Sequence, residues 1–108
     1  MVHKRNTVLL FEGEGCVNCR YVWAVLLSLR DEYAWRESNS VADSFELRRL
    51  DVEEHADLAQ KWSVVSLPAV LIFQAGMDKP SANFVGYMGY TATWEQLDGM
   101  LEQYYGWG

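Results

Sequence analysis

The chain has 108 residues, half of them hydrophobic and 14% aromatic, enough for one domain with one hydrophobic core over residues 1–108. A formal net charge of −6 argues against nucleic acid as a partner, because its phosphates would be repelled. The apolar runs are too short for a membrane span, and none near the amino terminus is long enough for a signal peptide. We therefore expect a cytoplasmic monomer that binds neither nucleic acid nor membranes.

The first half of the chain predicts a strand, a helix and a second strand. Thr7 to Phe11 is a continuous apolar run, as expected for a strand covered on both faces. After a loop at 12–15, apolar residues recur at helical spacing from Cys16 to about Tyr33 and predict a helix with one buried stripe. The polar residues 36–40 predict a loop, and Ser44 to Val52 alternates as a second strand.

The alternation of this second strand slips in phase at Arg48 and Arg49. Beyond it, Glu54 to Trp62 predicts a short helix. Ala69 to Phe73 predicts another buried strand, which ends in a turn at Ala75-Gly76.

The last part of the chain predicts an edge strand and a final helix. Asn83 to Tyr90 favours an edge strand that contains Gly86 and Gly89. Thr93 and Gln96 match a capping box, with Thr93 as the N-cap. Three residues of the helix that follows are predicted to be buried: Leu97, Leu101 and Tyr104.

The predicted order is β-α-β-α-β-β-α, an α/β fold class. A right-handed crossover through the first helix makes the first two strands parallel and adjacent. The last two strands form an antiparallel hairpin. The sequence therefore predicts a four-stranded mixed sheet with helices on both faces.

The only two cysteines lie three residues apart, in Cys16-Val17-Asn18-Cys19, between the first strand and the first helix. Two thiols at this spacing can close into a disulfide and reopen. Free N–H groups and the helix dipole favour a thiolate at Cys16, which we expect to be the exposed attacking thiol. Cys19 falls on the apolar stripe of the helix and suits the role of resolving thiol. Asn18 either bonds a sulfur or caps the helix.

Charged neighbours act on this cysteine pair in opposite directions. Arg20, one turn into the helix, would stabilise a thiolate at Cys16, although a simply solvated arginine is the alternative. Glu12 and Glu14 disfavour the thiolate.

Together with a second segment, the cysteine motif resembles the thioredoxin family. Residues 61–76 read Lys-Trp-Ser-Val-Val-Ser-Leu-Pro-Ala-Val-Leu-Ile-Phe-Gln-Ala-Gly. They are similar to the family's pattern of Lys-aromatic, then apolar-Pro, an apolar strand and a glycine turn. The order of elements fits, as does Asp51-Val52 at the end of the second strand. The resemblance covers the chain from Thr7 onward and implies the thioredoxin fold.

The resemblance implies a thiol-disulfide oxidoreductase that uses Cys16 and Cys19, without a cofactor or metal. Its substrates would be proteins that contain disulfides, and its reductant a thioredoxin-reductase-like flavoprotein or glutathione. Because the dipeptide between the cysteines tunes the redox potential, the direction of the reaction stays open. Since the sequence shows no sign of export, we expect reduction.

The resemblance also implies how substrates bind. It implies a cis peptide bond before Pro68, in a loop that faces the cysteines, and a substrate strand paired with the backbone of Leu67. Three further residues belong to the implied substrate-binding set: Val17, Asn18 and Gly89.

The chain departs from the family pattern around the cysteines. The central dipeptide is commonly Gly-Pro but is Val17-Asn18 here, and Gly15 replaces the usual aromatic residue before the first cysteine. The family's buried acid on the first strand falls on Leu10, and Arg49 stands near the position of its buried lysine. The chain therefore resembles an atypical, trimmed thioredoxin-like or glutaredoxin-like protein.

Two other functional classes stay open. A zinc ion or iron–sulfur cluster shared across a dimer would make this a metal-binding protein, although zinc favours four ligands and one chain supplies no compact set. A non-catalytic thioredoxin-like module for partner binding or assembly is the other class. The longer loop at 36–43 and the missing buried acid favour it.

Overall fold

The computed structural model describes residues 4–37 and 45–105, and only the backbone of 35–37. The elements in chain order are β1 (Thr7–Glu12), α1 (Val17–Glu37), β2 (Glu46–Asp51), α2 (Ala56–Lys61), β3 (Ala69–Phe73), β4 (Ala82–Val85) and α3 (Tyr90–Tyr105). The sheet order is β2-β1-β3-β4. β1 pairs with β2 in parallel, whereas β3 is antiparallel to both β1 and β4. The predicted element order and four-stranded mixed sheet are confirmed.

The continuous apolar run of β1 is explained by its central position in the sheet. Val8 and Leu10 pack toward one face, in a core shared with α1 and α3. Leu9 and Phe11 pack toward the other face, against residues of α2. Successive side chains of a strand point to opposite faces, so a strand covered on both sides must be apolar throughout. Helices therefore cover both faces of the sheet, as predicted.

The apolar alternation in the sequence of β2 is interrupted because the buried side chains change from one face of the sheet to the other. The strand itself is regular. The pairing of β2 with β1 is continuous from Glu46 to Asp51. Leu47 packs on the α1–α3 side and Leu50 on the α2 side. Because β2 is an edge strand, Arg48 and Arg49 between them are exposed.

The first helix is longer than the sequence predicts. The loop was expected to begin at Arg36, but α1 continues through Glu37. The rest of the predicted loop, 38–40, lies outside the described residues. Among the helices that the structure describes, none is both long and apolar enough to cross a membrane.

The second helix is shorter than predicted and ends with a serine in the left-handed region. The predicted range of 54–62 contracts to Ala56–Lys61. The Ser63 N–H donates to the Gln60 carbonyl at 3.2 Å, and the Val64 N–H donates to the Ala59 carbonyl at 2.8 Å. These two bonds form a Schellman motif, in which glycine usually occupies the position that Ser63 takes with φ +58°.

The edge strand and the last helix differ from their predicted limits for one reason. β4 ends at Val85, because Gly86 and Gly89 have φ of +98° and +89° and leave the β region. α3 then begins at Tyr90, three residues before the predicted N-cap. Thr93 therefore lies inside the helix, so the predicted capping box is wrong. Its buried hydroxyl accepts a hydrogen bond from the Met88 N–H at 2.9 Å.

Candidate active site

The two cysteines lie where the chain passes from the central strand into the longest helix. Cys16 follows a tight loop, in which its N–H donates to the Gly13 carbonyl at 3.2 Å and Gly15 takes φ +80°. The sulfurs of Cys16 and Cys19 form a disulfide. Cys16 is partly exposed, whereas Cys19 is only 2% exposed. Cys16 thus reaches the surface, while Cys19 belongs to the protein interior.

The electrostatic setting of Cys16 is that of a helix amino terminus. α1 begins at Val17 and has 21 residues, with no acidic residue in its first turn. The first N–H groups of a helix have no partner within it, and the helix dipole places partial positive charge there. After reduction of the disulfide, this end of α1 would favour a thiolate at Cys16.

A cleft of about 360 Å³ opens beside Cys16. Its lining residues are Glu14, Gly15, Cys16, Val17, Asn18 and Leu67. It therefore joins the amino terminus of α1 to the loop before β3, and four residues of the predicted site line it together. We call it the Leu67 cleft.

The loop before β3 contributes Leu67 to this cleft, and the backbone groups of Leu67 are free. Among the described residues, neither the N–H nor the C=O of Leu67 makes a hydrogen bond. The Leu67–Pro68 peptide bond is cis, and the Pro68 carbonyl accepts a hydrogen bond from the Gly86 N–H at 2.9 Å. That bond ties the loop to the end of β4.

The loop after β1 approaches Leu67 closely. A Cβ atom added to Gly13 would lie 2.9 Å from Leu67 Cδ1 and 3.4 Å from Val52 Cγ1. The absence of a side chain at Gly13 thus lets Leu67 sit beside the cysteine loop. The sequence interpretation did not identify this contact.

A second cleft, of about 390 Å³, lies on the β2 side of the cysteines, and we call it the acidic cleft. Both cysteines line it, together with four charged residues near them: Glu12, Glu14, Arg20 and Asp51. The two oxygens of Glu12 accept bonds from Arg49 Nε and Nη2 at 3.0 and 3.2 Å. The Asp51 Oδ1 accepts the N–H groups of Glu53 and Glu54. Arg20 is exposed, and no described residue bonds to it.

The Glu12–Arg49 pair is a feature that the sequence interpretation missed. Leu10, where the family carries a buried acid, is fully buried and pairs with Arg49 across the sheet. Glu12 lies two residues further on the same face, so Arg49 can reach it. The Arg49 guanidinium also lies 4.6 Å from the ring centroid of Trp23 on α1. The sequence did contain one signal for this pair. Once β1 and β2 are paired in parallel, the opposite charges of Glu12 and Arg49 lie close to one another in the register.

An exposed apolar surface continues from the Leu67 cleft along α1. Val17 is 61% exposed, and Tyr21, one turn later, is 50% exposed. The Tyr21 ring stacks on Tyr87 with centroids 5.4 Å apart, and the adjacent Met88 is exposed as well. These side chains form an apolar area next to Cys16.

Gly89, also predicted to bind substrate, lies at the start of α3 and lines neither cleft. Its carbonyl accepts the Thr93 N–H at 3.0 Å. Within residues 4–37 and 45–105, no three His, Cys, Asp or Glu side chains are grouped so that they could hold a metal ion.

Comparisons with known sequences agree on one family. A family model described as Thioredoxin matches residues 1–97. Thioredoxin of Mycoplasma genitalium is 24% identical over 88 residues, which cover 82% of this chain and 76% of that protein. Thioredoxin Y, chloroplastic, of Oryza sativa subsp. japonica is 24% identical over 92 residues, or 85% of this chain. The chain spans only 49% of the rice protein.

Solved structures give the same fold at low sequence identity. Thioredoxin O2 of Arabidopsis thaliana in its oxidised state superposes with a TM-score of 0.70 at 22% identity, covering 94% of this chain and 76% of that one. The germline-specific thioredoxin Deadhead of Drosophila melanogaster gives 0.69 at 20% identity, covering 93% and 81%. At these identities, the likeness shows the fold alone.

Proposed function

Because this chain belongs to the thioredoxin family, we propose that it is a dithiol oxidoreductase that reduces protein disulfides, with Cys16 as the attacking and Cys19 as the resolving thiol. The observation that carries this proposal is the unequal exposure of the two cysteines. Cys16 lies at the surface, in a cleft shared with Leu67, while Cys19 is 2% exposed behind it.

The proposed reaction has two exchange steps. In the reduced protein, the Cys16 thiolate attacks one sulfur of a substrate disulfide, and the other substrate sulfur leaves as a thiolate. Cys19 then loses its proton and attacks Cys16 Sγ. This attack breaks the mixed disulfide, re-forms the Cys16–Cys19 bond and releases the second substrate sulfur. The substrate disulfide gains two electrons, and the protein dithiol loses them.

Substrate binding is proposed to use the free backbone of Leu67. An extended substrate segment can add to exposed N–H and C=O groups as a strand adds to a sheet edge. Such a segment would lie across the Leu67 cleft, with its cysteine against Cys16. Val17 and Asn18 line the same cleft, and the apolar area around Tyr21 would cover neighbouring substrate residues. This extended contact area favours proteins over small disulfides as substrates.

The electrons would come from a thioredoxin-reductase-like flavoprotein in the cytoplasm. Glutathione is the less favoured reductant, since its carboxylates would meet Glu12, Glu14 and Asp51 in the acidic cleft beside the cysteines. A monomer suffices for this chemistry, because both cysteines and Leu67 come from one chain.

One observation favours a second candidate, a non-catalytic module for partner binding. Leu10 is fully buried where the family carries an acid, so no carboxylate at that position can accept the proton of Cys19. Such a module would keep the cleft and the apolar area but turn over slowly or not at all.

Insulin reduction with dithiothreitol as electron donor separates these candidates. We expect turnover by the parent protein and none by Cys16→Ser or Cys19→Ser. When each variant is first reduced, freed of dithiothreitol and then mixed with insulin, Cys19→Ser should accumulate a mixed disulfide, because its resolving thiol is missing, and Cys16→Ser should not. Absence of turnover by the parent would favour the non-catalytic module, and equal trapping by both variants would contradict the assigned roles.

A further inference from the structure

We propose that Glu14 makes this protein prefer substrates that carry lysine or arginine next to the attacked cysteine. The inference rests on the proposed function and specifies its substrate class. It concerns the Leu67 cleft, where an extended substrate segment would lie across Cys16.

Glu14 supplies the charge of that cleft. Of the described residues that line it, Glu14 is the only one with a charged side chain; the other five are Gly15, Cys16, Val17, Asn18 and Leu67. A substrate side chain that enters the cleft therefore meets the Glu14 carboxylate, and Arg20, the cation near the cysteines, lines the acidic cleft instead. The cleft is small, so the residues that adjoin the substrate cysteine are those within reach.

The Glu14 carboxylate is available for such a contact. It is exposed, and no hydrogen bond or ion pair joins it to any described residue. The two other carboxylates near the cysteines differ in this respect, since Glu12 is held by Arg49 and Asp51 accepts two backbone N–H groups. Glu14 can thus pair with a substrate cation without first breaking an internal contact.

The size of the preference follows from the exposure of Glu14. Pairs between exposed charges contribute about 0.2–1 kcal/mol, and a like charge is disfavoured by a similar amount. The two contributions together span about 0.4–2 kcal/mol. Since about 1.4 kcal/mol is tenfold in rate or affinity, Glu14 should change the ratio of rates for basic and acidic substrates by about two- to thirtyfold. High salt should reduce this effect, because it screens exposed charges.

Three synthetic peptides test the preference. They have one sequence except for the two residues that flank a single cysteine, which are both Lys, both Gln or both Glu. Each cysteine carries a 2-thiopyridyl disulfide, whose neutral leaving group is the same in all three. Release of thiopyridone by the reduced protein gives a second-order rate constant for each peptide. The ratio of the Lys and Glu peptides cancels any effect of a substitution on the reactivity of Cys16 itself.

The variants are Glu14→Gln, Glu14→Lys and the matched control Asp31→Asn. Asp31 is exposed, and no described residue bonds to it. It lies on α1 about 20 Å from the first turn, at 1.5 Å per residue, which exceeds the Debye length of about 10 Å in 0.1 M salt. Asp31→Asn therefore changes the net charge as Glu14→Gln does, but not the charge of the cleft.

We expect the parent and Asp31→Asn to share one Lys-to-Glu ratio, Glu14→Gln to lower it by about two- to thirtyfold, and Glu14→Lys to lower it further. An unchanged ratio in Glu14→Gln, or an equal fall in Asp31→Asn, would overturn the role of Glu14. Rapid release from all peptides without any preference would overturn the inference and leave the proposed function standing. Release from none of the peptides would overturn the proposed function as well.

Discussion

The hydroxyl of Tyr105 joins the last helix to the sheet at the end remote from the cysteines. It lies 3.1 Å from the Thr7 carbonyl oxygen and 3.0 Å from that of Phe73. Tyr105→Phe removes this one donor and leaves the ring in place, including its contact with Phe45 at 5.9 Å between centroids. The substitution therefore isolates the contribution of the hydrogen bonds.

The expected cost is about 1–2 kcal/mol of unfolding free energy. A buried hydrogen bond contributes about 0.5–1.5 kcal/mol net, and a carbonyl left without its donor adds a part of its desolvation cost. For a domain of this size, the melting temperature should fall by about 5–10 °C. Insulin reduction by the folded variant should be unchanged, because β1 separates Thr7 from the cysteine loop by about 20 Å.

Urea unfolding followed by circular dichroism measures this cost, and its pH dependence provides a second check. Burial raises the pKa of Tyr105 well above its ordinary value, so the folded protein keeps the proton while the unfolded chain loses it near pH 10. The stability that the hydroxyl contributes is thus complete below pH 10 and is lost above it. The difference between parent and Tyr105→Phe should shrink by about 0.8 kcal/mol at pH 10.5. A cost below about 0.3 kcal/mol at pH 7, or one that grows above pH 10, would refute this reasoning.

Two further substitutions test the local geometry. Ser63→Gly should raise the unfolding free energy by about 0.5–1 kcal/mol in urea titrations. Ser63 has φ +58°, a region that glycine adopts without steric cost. A loss of stability would contradict the left-handed conformation assigned to Ser63. Gly13→Ala should lower insulin turnover severalfold with little loss of stability, since its Cβ would displace the flexible end of Leu67. Gly99→Ala is the control, because Gly99 lies in α3 and no atom is near the added Cβ. This variant should keep full turnover, and its unfolding free energy should rise by about 1 kcal/mol. Equal turnover in both alanine variants would contradict the role of Leu67.

The parts of the fold that follow from periodicity were predictable from the sequence. The apolar runs of β1 and β3 and the helical spacing after Cys16 reflect which side chains are buried. Burial leaves a local, repeating pattern along a strand or a helix, and that pattern can be read from the sequence. The limits of β4 and α3 were not predictable in this way. They depend on the positive φ of Gly86 and Gly89, whereas the local pattern at Thr93 fits an N-cap equally well.

The candidate site likewise has some features that the sequence reveals and others that it does not. The cysteine pair is visible in the sequence because its residues are close along the chain. The proximity of Leu67 to Cys16 came from family resemblance, since fifty residues separate the two positions. The contact of Gly13 with Leu67 and the pairing of Glu12 with Arg49 both depend on the sheet register. Neither feature has a local pattern that would reveal it.

Selective alkylation of the reduced protein tests the central claim most directly. Limiting iodoacetamide at pH 7, followed by peptide mass spectrometry, reports which sulfur is both ionised and accessible. The account predicts modification at Cys16 almost alone, because Cys19 is 2% exposed. Equal labelling of both cysteines, or a faster reaction at Cys19, would contradict it.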